Sequence, residues 1–186
     1  MEQVTKRRRS SVGHLFGVLL LLLGSGWAGP ARAELETARD LMEEGRFAEA
    51  MAERLGAVEA RPLDHPEARL AAFPDPEVAE RTSRMIDQQL EIPGAEDLTA
   101  RHREGGRVAT AGGCTFLLPT VVYCDDPAHP LAAAEFVFPF VTVVDTAPPE
   151  ILDRIGPTLI GSVISDDERF LAEALASRSI DRLNLG

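Results

Sequence analysis

Lysine is nearly absent from this chain of 186 residues: Lys6 is the only one, and beyond residue 33 every formal positive charge is an arginine. That part of the chain can therefore run neither Schiff-base catalysis nor lysine-dependent phosphate binding. No Gly-x-Ser-x-Gly elbow occurs, so the usual strained hydrolase nucleophile is not signalled. Gly105-Gly106 and Gly112-Gly113 belong to neither a Walker nor a dinucleotide pattern, and no cofactor is expected. Cysteine is limited to Cys114 and Cys124, and tryptophan to Trp27.

What is present begins with an export signal. Lys6-Arg7-Arg8-Arg9 forms a positive head, Leu15 to Leu23 a short apolar core, and Gly24 to Ala33 a small-residue tail ending Ala31-Arg32-Ala33. This order of charge, apolar run and small-x-small site is what signal peptidase requires. The apolar stretch is short against the ~20 residues needed to span a bilayer. Residues 1–33 are accordingly expected to be a cleaved signal peptide, and the mature chain to start at Glu34, in the periplasm or outside the cell, without stable membrane insertion.

Cleavage removes five basic residues and one acid from a chain of formal charge −11, leaving 153 residues at −15. Such a surface repels phosphate backbones and argues against nucleic acid as a partner. In an oxidising compartment an even cysteine count predicts a disulfide, Cys114–Cys124, closing a loop of about ten residues.

The fold class expected is α+β, with antiparallel helices over 34–104 and a strand-rich segment with a C-terminal helix over 105–186. Helices are expected over 35–44, 47–60 and 67–73. A further one follows Asp75, with Val78, Thr82, Met85, Ile86 and Leu90 as its apolar side, and a short one is expected over 96–103. Gly105-Gly106 marks a change to β-branched and turn residues. Strands are predicted over 107–111, 115–118, 120–123, 136–144 and 158–164, with Pro119 and Pro139 interrupting. Ser165-Asp166-Asp167-Glu168 has the capping-box spacing for a last helix with Phe170, Leu171, Ala174 and Leu175 inward.

Gly45-Arg46-Phe47-Ala48-Glu49-Ala50, followed by Ala57-Val58-Glu59-Ala60-Arg61-Pro62, has small residues where two helices approach and a proline where the second ends. This stretch, within residues 38–70, resembles one tetratricopeptide repeat, with His65-Pro66-Glu67-Ala68 similar to the opening of another. The resemblance implies a protein-binding scaffold without chemistry of its own. It places Leu35, Arg39, Met42 and Glu43 on the groove-facing side of the first helix.

Asp125-Asp126-Pro127-Ala128-His129 sets two carboxylates and an imidazole within five residues. Those types can ligate a divalent metal or serve as acid–base groups. The same string also suits a polar turn after a strand. The sequence thus predicts an exported, non-enzymatic interaction protein with a protein partner. The alternative is a small periplasmic metal-binding protein or hydrolase using Asp125, Asp126 and His129. Export is checked cheaply. A chain cut after Ala33 has lost Trp27, so protein recovered from cells should show no tryptophan emission; a persistent signal would mean the segment stays attached or is cut before Trp27.

Overall fold

A computed structural model describes residues 46–186. The expected export signal, the helix expected over 35–44 and the groove residues Leu35, Arg39, Met42 and Glu43 lie outside the described residues.

Helix α1 (Phe47–Gly56) starts where the Phe-x-x-Ala pattern placed it and stops four residues earlier than the sequence suggests. Its buried face is made of Ala48, Ala50, Ala52 and Gly56. Small side chains let the helix backbone lie close to its neighbours. A Cβ on Gly56 would stand 2.6 Å from the Cβ of His102, so only glycine fits there. Helix α2 (Pro76–Leu90) is capped by Asp75, whose carboxylate accepts from Glu77 N at 2.9 Å, with Pro76 in the first turn. Its inward positions are Ala79, Ser83 and Ile86, while Met85 is exposed. The apolar side read from the sequence is rotated because Ser83 turns inward to serve a buried arginine. Residues 67–73, expected as helix, are turns and coil that end in a bridge from Phe73 to Thr115.

The expected helix over 96–103 is instead strand β1 (Ala95–Asp97) followed by a 3-10 turn, Leu98–Arg101. Strands β2 (Val108–Ala111) and β3 (Cys114–Leu117) form a hairpin in the register Ala111↔Cys114. Its two-residue turn is Gly112-Gly113, with φ of +56° and +74°. Two positive φ values are what the tight hairpin turn matching strand twist demands, and glycine adopts them without penalty. Strand β4 (Thr120–Cys124) is central to a three-stranded sheet, antiparallel to β1 and parallel to β5 (Phe140–Val144). Thr120, Val121, Val122 and Cys124 are buried, as befits a strand covered on both faces.

The apolar run 136–144 is a strand only from Phe140. The rings of Phe136, Phe138 and Phe140 cluster with centroids 4.6–5.9 Å apart, Phe140 meeting the other two edge to face, and Val137 is 90% exposed. Pro139 offers no N–H to a ladder, but its carbonyl accepts from Thr120 N at 3.0 Å.

The chain ends in a unit of its own. A 3-10 turn (Pro148–Glu150) leads into α3 (Ile151–Ile155), then β6 (Thr158–Val163), α4 (Glu168–Ala176) and β7 (Ile180–Leu185), with β6 and β7 parallel. Asp167, not Ser165, caps α4, accepting from Arg169 N and Phe170 N; Ser165 holds Asp167 N one step earlier. The anionic carboxylate outcompetes the hydroxyl for the orphan N–H groups. Ile151, Val163, Phe170 and Ala174 form the core of this unit, separate from those that join α1 to β4 and α2 to the β2–β3 hairpin.

Two expectations are corrected. The fold is α+β, but among the described residues only two α-helices, within 47–90, precede the strands, the terminal unit mixes α3 and α4 with β6 and β7, and a strand rather than a helix closes the chain. Nor is there a disulfide, since Cys114 and Cys124 are both free. Between them the chain does not turn back: β3 pairs with β2, and β4 with β1 and β5. Each cysteine is thus held in the ladder of a different sheet. Cys114 packs with Phe116 and Leu118, and Cys124 with Val122 and Leu131. Ellman's reagent applied to unreduced, denatured protein should accordingly count two thiols per chain; none would show the cysteines paired.

Candidate functional site

Helix α2, strand β1 and strand β4 meet around two buried arginines. Arg107 is 4% exposed, yet each of its donors has a partner. Nε donates to Thr120 Oγ1 at 3.1 Å, Nη1 to Asp87 Oδ1 at 2.9 Å and to Ser83, and Nη2 to Asp97 Oδ2 at 2.9 Å. Arg103 donates to the same Asp97 oxygen at 2.6 Å, and to Thr99 Oγ1 and the Pro119 carbonyl. Thr99, fully buried, gives its proton to Asp97 Oδ1 and accepts from Val121 N.

Asp97 thus anchors both guanidiniums. Burial, the largest single influence on its carboxyl, pushes the pKa up. The Thr99 hydrogen bond and the charges of Arg103 and Arg107 together outweigh it and hold Asp97 below the usual carboxylate range. Two arginines face two aspartates, so the cluster is neutral. It has the character of a structural joint, and its planar forks suit arginine where lysine would satisfy fewer acceptors. In the sequence Arg107 only opens a predicted strand. Nothing in the local pattern signals that an arginine after Gly105-Gly106 is inside.

The expected chemical residues lie elsewhere. Asp125, Asp126 and His129 form the turn that leaves β4. Asp126 Oδ1 accepts from Ala128 N at 2.8 Å, closing that turn. His129 is buried, with Nδ1 accepting from Leu131 N at 3.1 Å and Nε2 facing the Ile92 carbonyl at 3.3 Å. Both ring nitrogens are committed to backbone. Among the described residues no three His, Cys, Asp or Glu side chains are grouped to hold a metal ion. Cys124 is buried beside Asp125 and Asp126, and burial, then those charges, pushes its thiol up to about 11, the opposite of an activated nucleophile.

The apolar surface is unevenly covered. On the terminal unit Leu159 is 76%, Ile164 72% and Leu175 65% exposed, and Ile160 and Leu185 are also open. The outer edges of β6 and β7 pair with no strand among the described residues. Among those residues no helix is long and apolar enough to cross a membrane.

No protein-family model and no curated protein matches the chain. Its fold is similar to a solved structure assigned as an aldehyde dehydrogenase, from Bacillus subtilis subsp. subtilis str. 168. The TM-score is 0.55 at 18% identity, over 79% of this chain. The match takes in only 31% of that larger chain. At this identity the likeness is one of fold.

Replacing Asp97 by Asn leaves two buried guanidiniums short of their counter-charge and should cost about 3–5 kcal/mol. A carboxyl held low stabilises the fold above its unfolded value, near 3.8, and loses that contribution as pH falls through the folded value. Urea midpoints should therefore be lower for Asp97→Asn at neutral pH, and the gap to the parent should narrow below about pH 4. Equal midpoints at neutral pH would show that the joint carries no net stability.

Proposed function

We propose that this chain works by association, as a non-catalytic part of an aldehyde-dehydrogenase-like oxidoreductase fold that other polypeptide completes. The observation that carries this reading is the exposure of Leu159 and Ile160 on β6, Leu185 on β7, Ile164 just after β6 and Leu175 on α4, around a two-stranded parallel sheet with open edges among the described residues. Parallel strands ordinarily lie within sheets covered on both faces, and open edges recruit further strands. The fold likeness to less than a third of a larger chain supports the same reading. So does the use of Cys124 and His129 in packing and backbone bonds, which leaves neither poised to react. Export through residues 1–33 and a tetratricopeptide-like helical pair before α2 belong to the proposal as well, each compatible with an interaction protein.

The test combines cross-linking in cells with an assay. Cross-links from residues 155–185 should concentrate on one partner polypeptide and be lost in a Leu159→Asp, Leu175→Asp variant that keeps its far-UV spectrum. The purified chain alone should give no NAD- or NADP-dependent oxidation of a panel of short aldehydes. Turnover by the isolated chain would overturn the non-catalytic assignment. Cross-links indifferent to the double substitution would overturn the surface.

A further inference from the structure

Strand β5 is the last element that pairs with β4. At its end Asp145 N donates to the Cys124 carbonyl at 3.2 Å, and the chain then crosses Thr146 and Ala147. Beyond that point the bonding closes on itself. Arg154 pairs with Glu150, Arg169 with Glu173, and Asn184 Nδ2 donates to Ser162 Oγ at 3.3 Å. Thr158 N donates to the Ser179 carbonyl at 2.7 Å, and Gly186 N to the Val163 carbonyl at 3.0 Å. Among the described residues, the side-chain hydrogen bonds and ion pairs of 148–186 all end within 148–186. The apolar contacts do the same: Ile151, Val163, Phe170 and Ala174 pack with Leu152, Leu171 and Leu183. The backbone bond that crosses the junction is local, from Glu150 N to the Ala147 carbonyl at 2.9 Å.

We propose that residues 148–186 are a hinged arm, which opens as one cooperative unit and turns about Thr146-Ala147 without disturbing the Asp97 joint. Cooperativity follows shared contacts, and stretches that share few contribute to stability nearly independently. Here the contacts divide at the junction, so opening the arm breaks no bond around Arg103, Arg107 or β4. The arm is the weaker unit. It has fewer than 40 residues and holds neither cysteine, a size at which a chain rarely buries enough apolar surface on its own. Leu159, Ile164 and Leu175 stay exposed instead of adding to its core. Segments joined by few bonds move relative to one another by default. The arm can thus turn its apolar side toward a surface while α1, α2 and the three-stranded sheet stay fixed. This device is independent of the association proposed above and holds for the chain alone.

Amide hydrogen exchange on the full chain, followed residue by residue at low urea, tests this. The arm is read at Thr158 and Leu171, whose amides bond to Ser179 and Asp167. The rest is read at Leu118, bonded to the Arg107 carbonyl, and Val121, bonded to Thr99 Oγ1. Thr158 and Leu171 should share one opening, with a shallower urea dependence because less surface is exposed. Leu118 and Val121 should follow a second, rarer and steeper one. Phe170→Ala empties the middle of the arm's core and should speed exchange at Thr158 and Leu171 about a hundredfold. Leu118 and Val121 should keep their protection in that variant, even if the arm unfolds outright. Asp97→Asn should do the reverse. For the hinge, amide nitrogen relaxation should give the arm its own tumbling time. One urea dependence common to all four amides would overturn the arm, as would both pairs moving together in either variant. A single tumbling time would overturn the hinge. Should a variant give no folded chain at all, the urea dependence of the parent decides alone.

Discussion

The carboxylate of Asp97 is the constraint on which the larger part of this fold depends. It sits at the end of an edge strand, and its two oxygens hold Thr99, Arg103 and Arg107. Through Arg107 the same charge reaches Ser83 and Asp87 on α2 and Thr120 at the start of β4. Three elements far apart in sequence are thereby fixed relative to one another by directional bonds, where apolar contact alone would let them slide. A buried pair of this kind adds little net stability over a well-packed apolar substitute, but losing one member leaves an uncompensated charge. Its contribution is geometric: it sets the depth of α2 over the hairpin, which is why Ser83 faces inward and Met85 outward.

Two arginines inside also give meaning to the missing lysines. Arg107 uses three nitrogens on four residues, a fan of donors no ammonium can match in a fixed plane. The acid excess of the chain is a matter of its surface, whereas the interior joint is neutral.

The sequence made local chemistry legible and left pairing obscure. Asp75-Pro76 announced α2, and the apolar spacing after Ser165 announced α4. Each depends on residues within one turn of each other. The parallel pairing of β4 with β5 and β6 with β7 could not be read, because a strand's pattern says which faces are buried and not which strand lies alongside. The disulfide expectation failed for a related reason. Cysteine count and spacing do not tell whether the chain reverses between them, and here β3 and β4 run on into different sheets. The string from Asp125 to His129 suits either a metal site or a polar turn by residue type alone, and the acceptor role of His129 Nδ1 depends on how the chain curls back to Leu131. The groove residues Leu35, Arg39, Met42 and Glu43 lie outside the described residues.

The terminal unit obeys a different rule from the rest. Residues 148–186 gather their own apolar cluster, and none of its members belongs to the clusters around β4 or the hairpin. Chains below about 40 residues seldom bury enough surface to fold without a disulfide, a metal or a partner, and the free cysteines lie outside this unit. Its helices cover one side of the β6–β7 pair through Val163 and Leu183, while Leu159 and Leu175 remain open to water. At ~25 cal/mol per Å² of apolar surface, covering a few such side chains is worth several kcal/mol, comparable to the stability of a whole small domain. For this part of the molecule, anything that covered those side chains would also raise the stability of the fold.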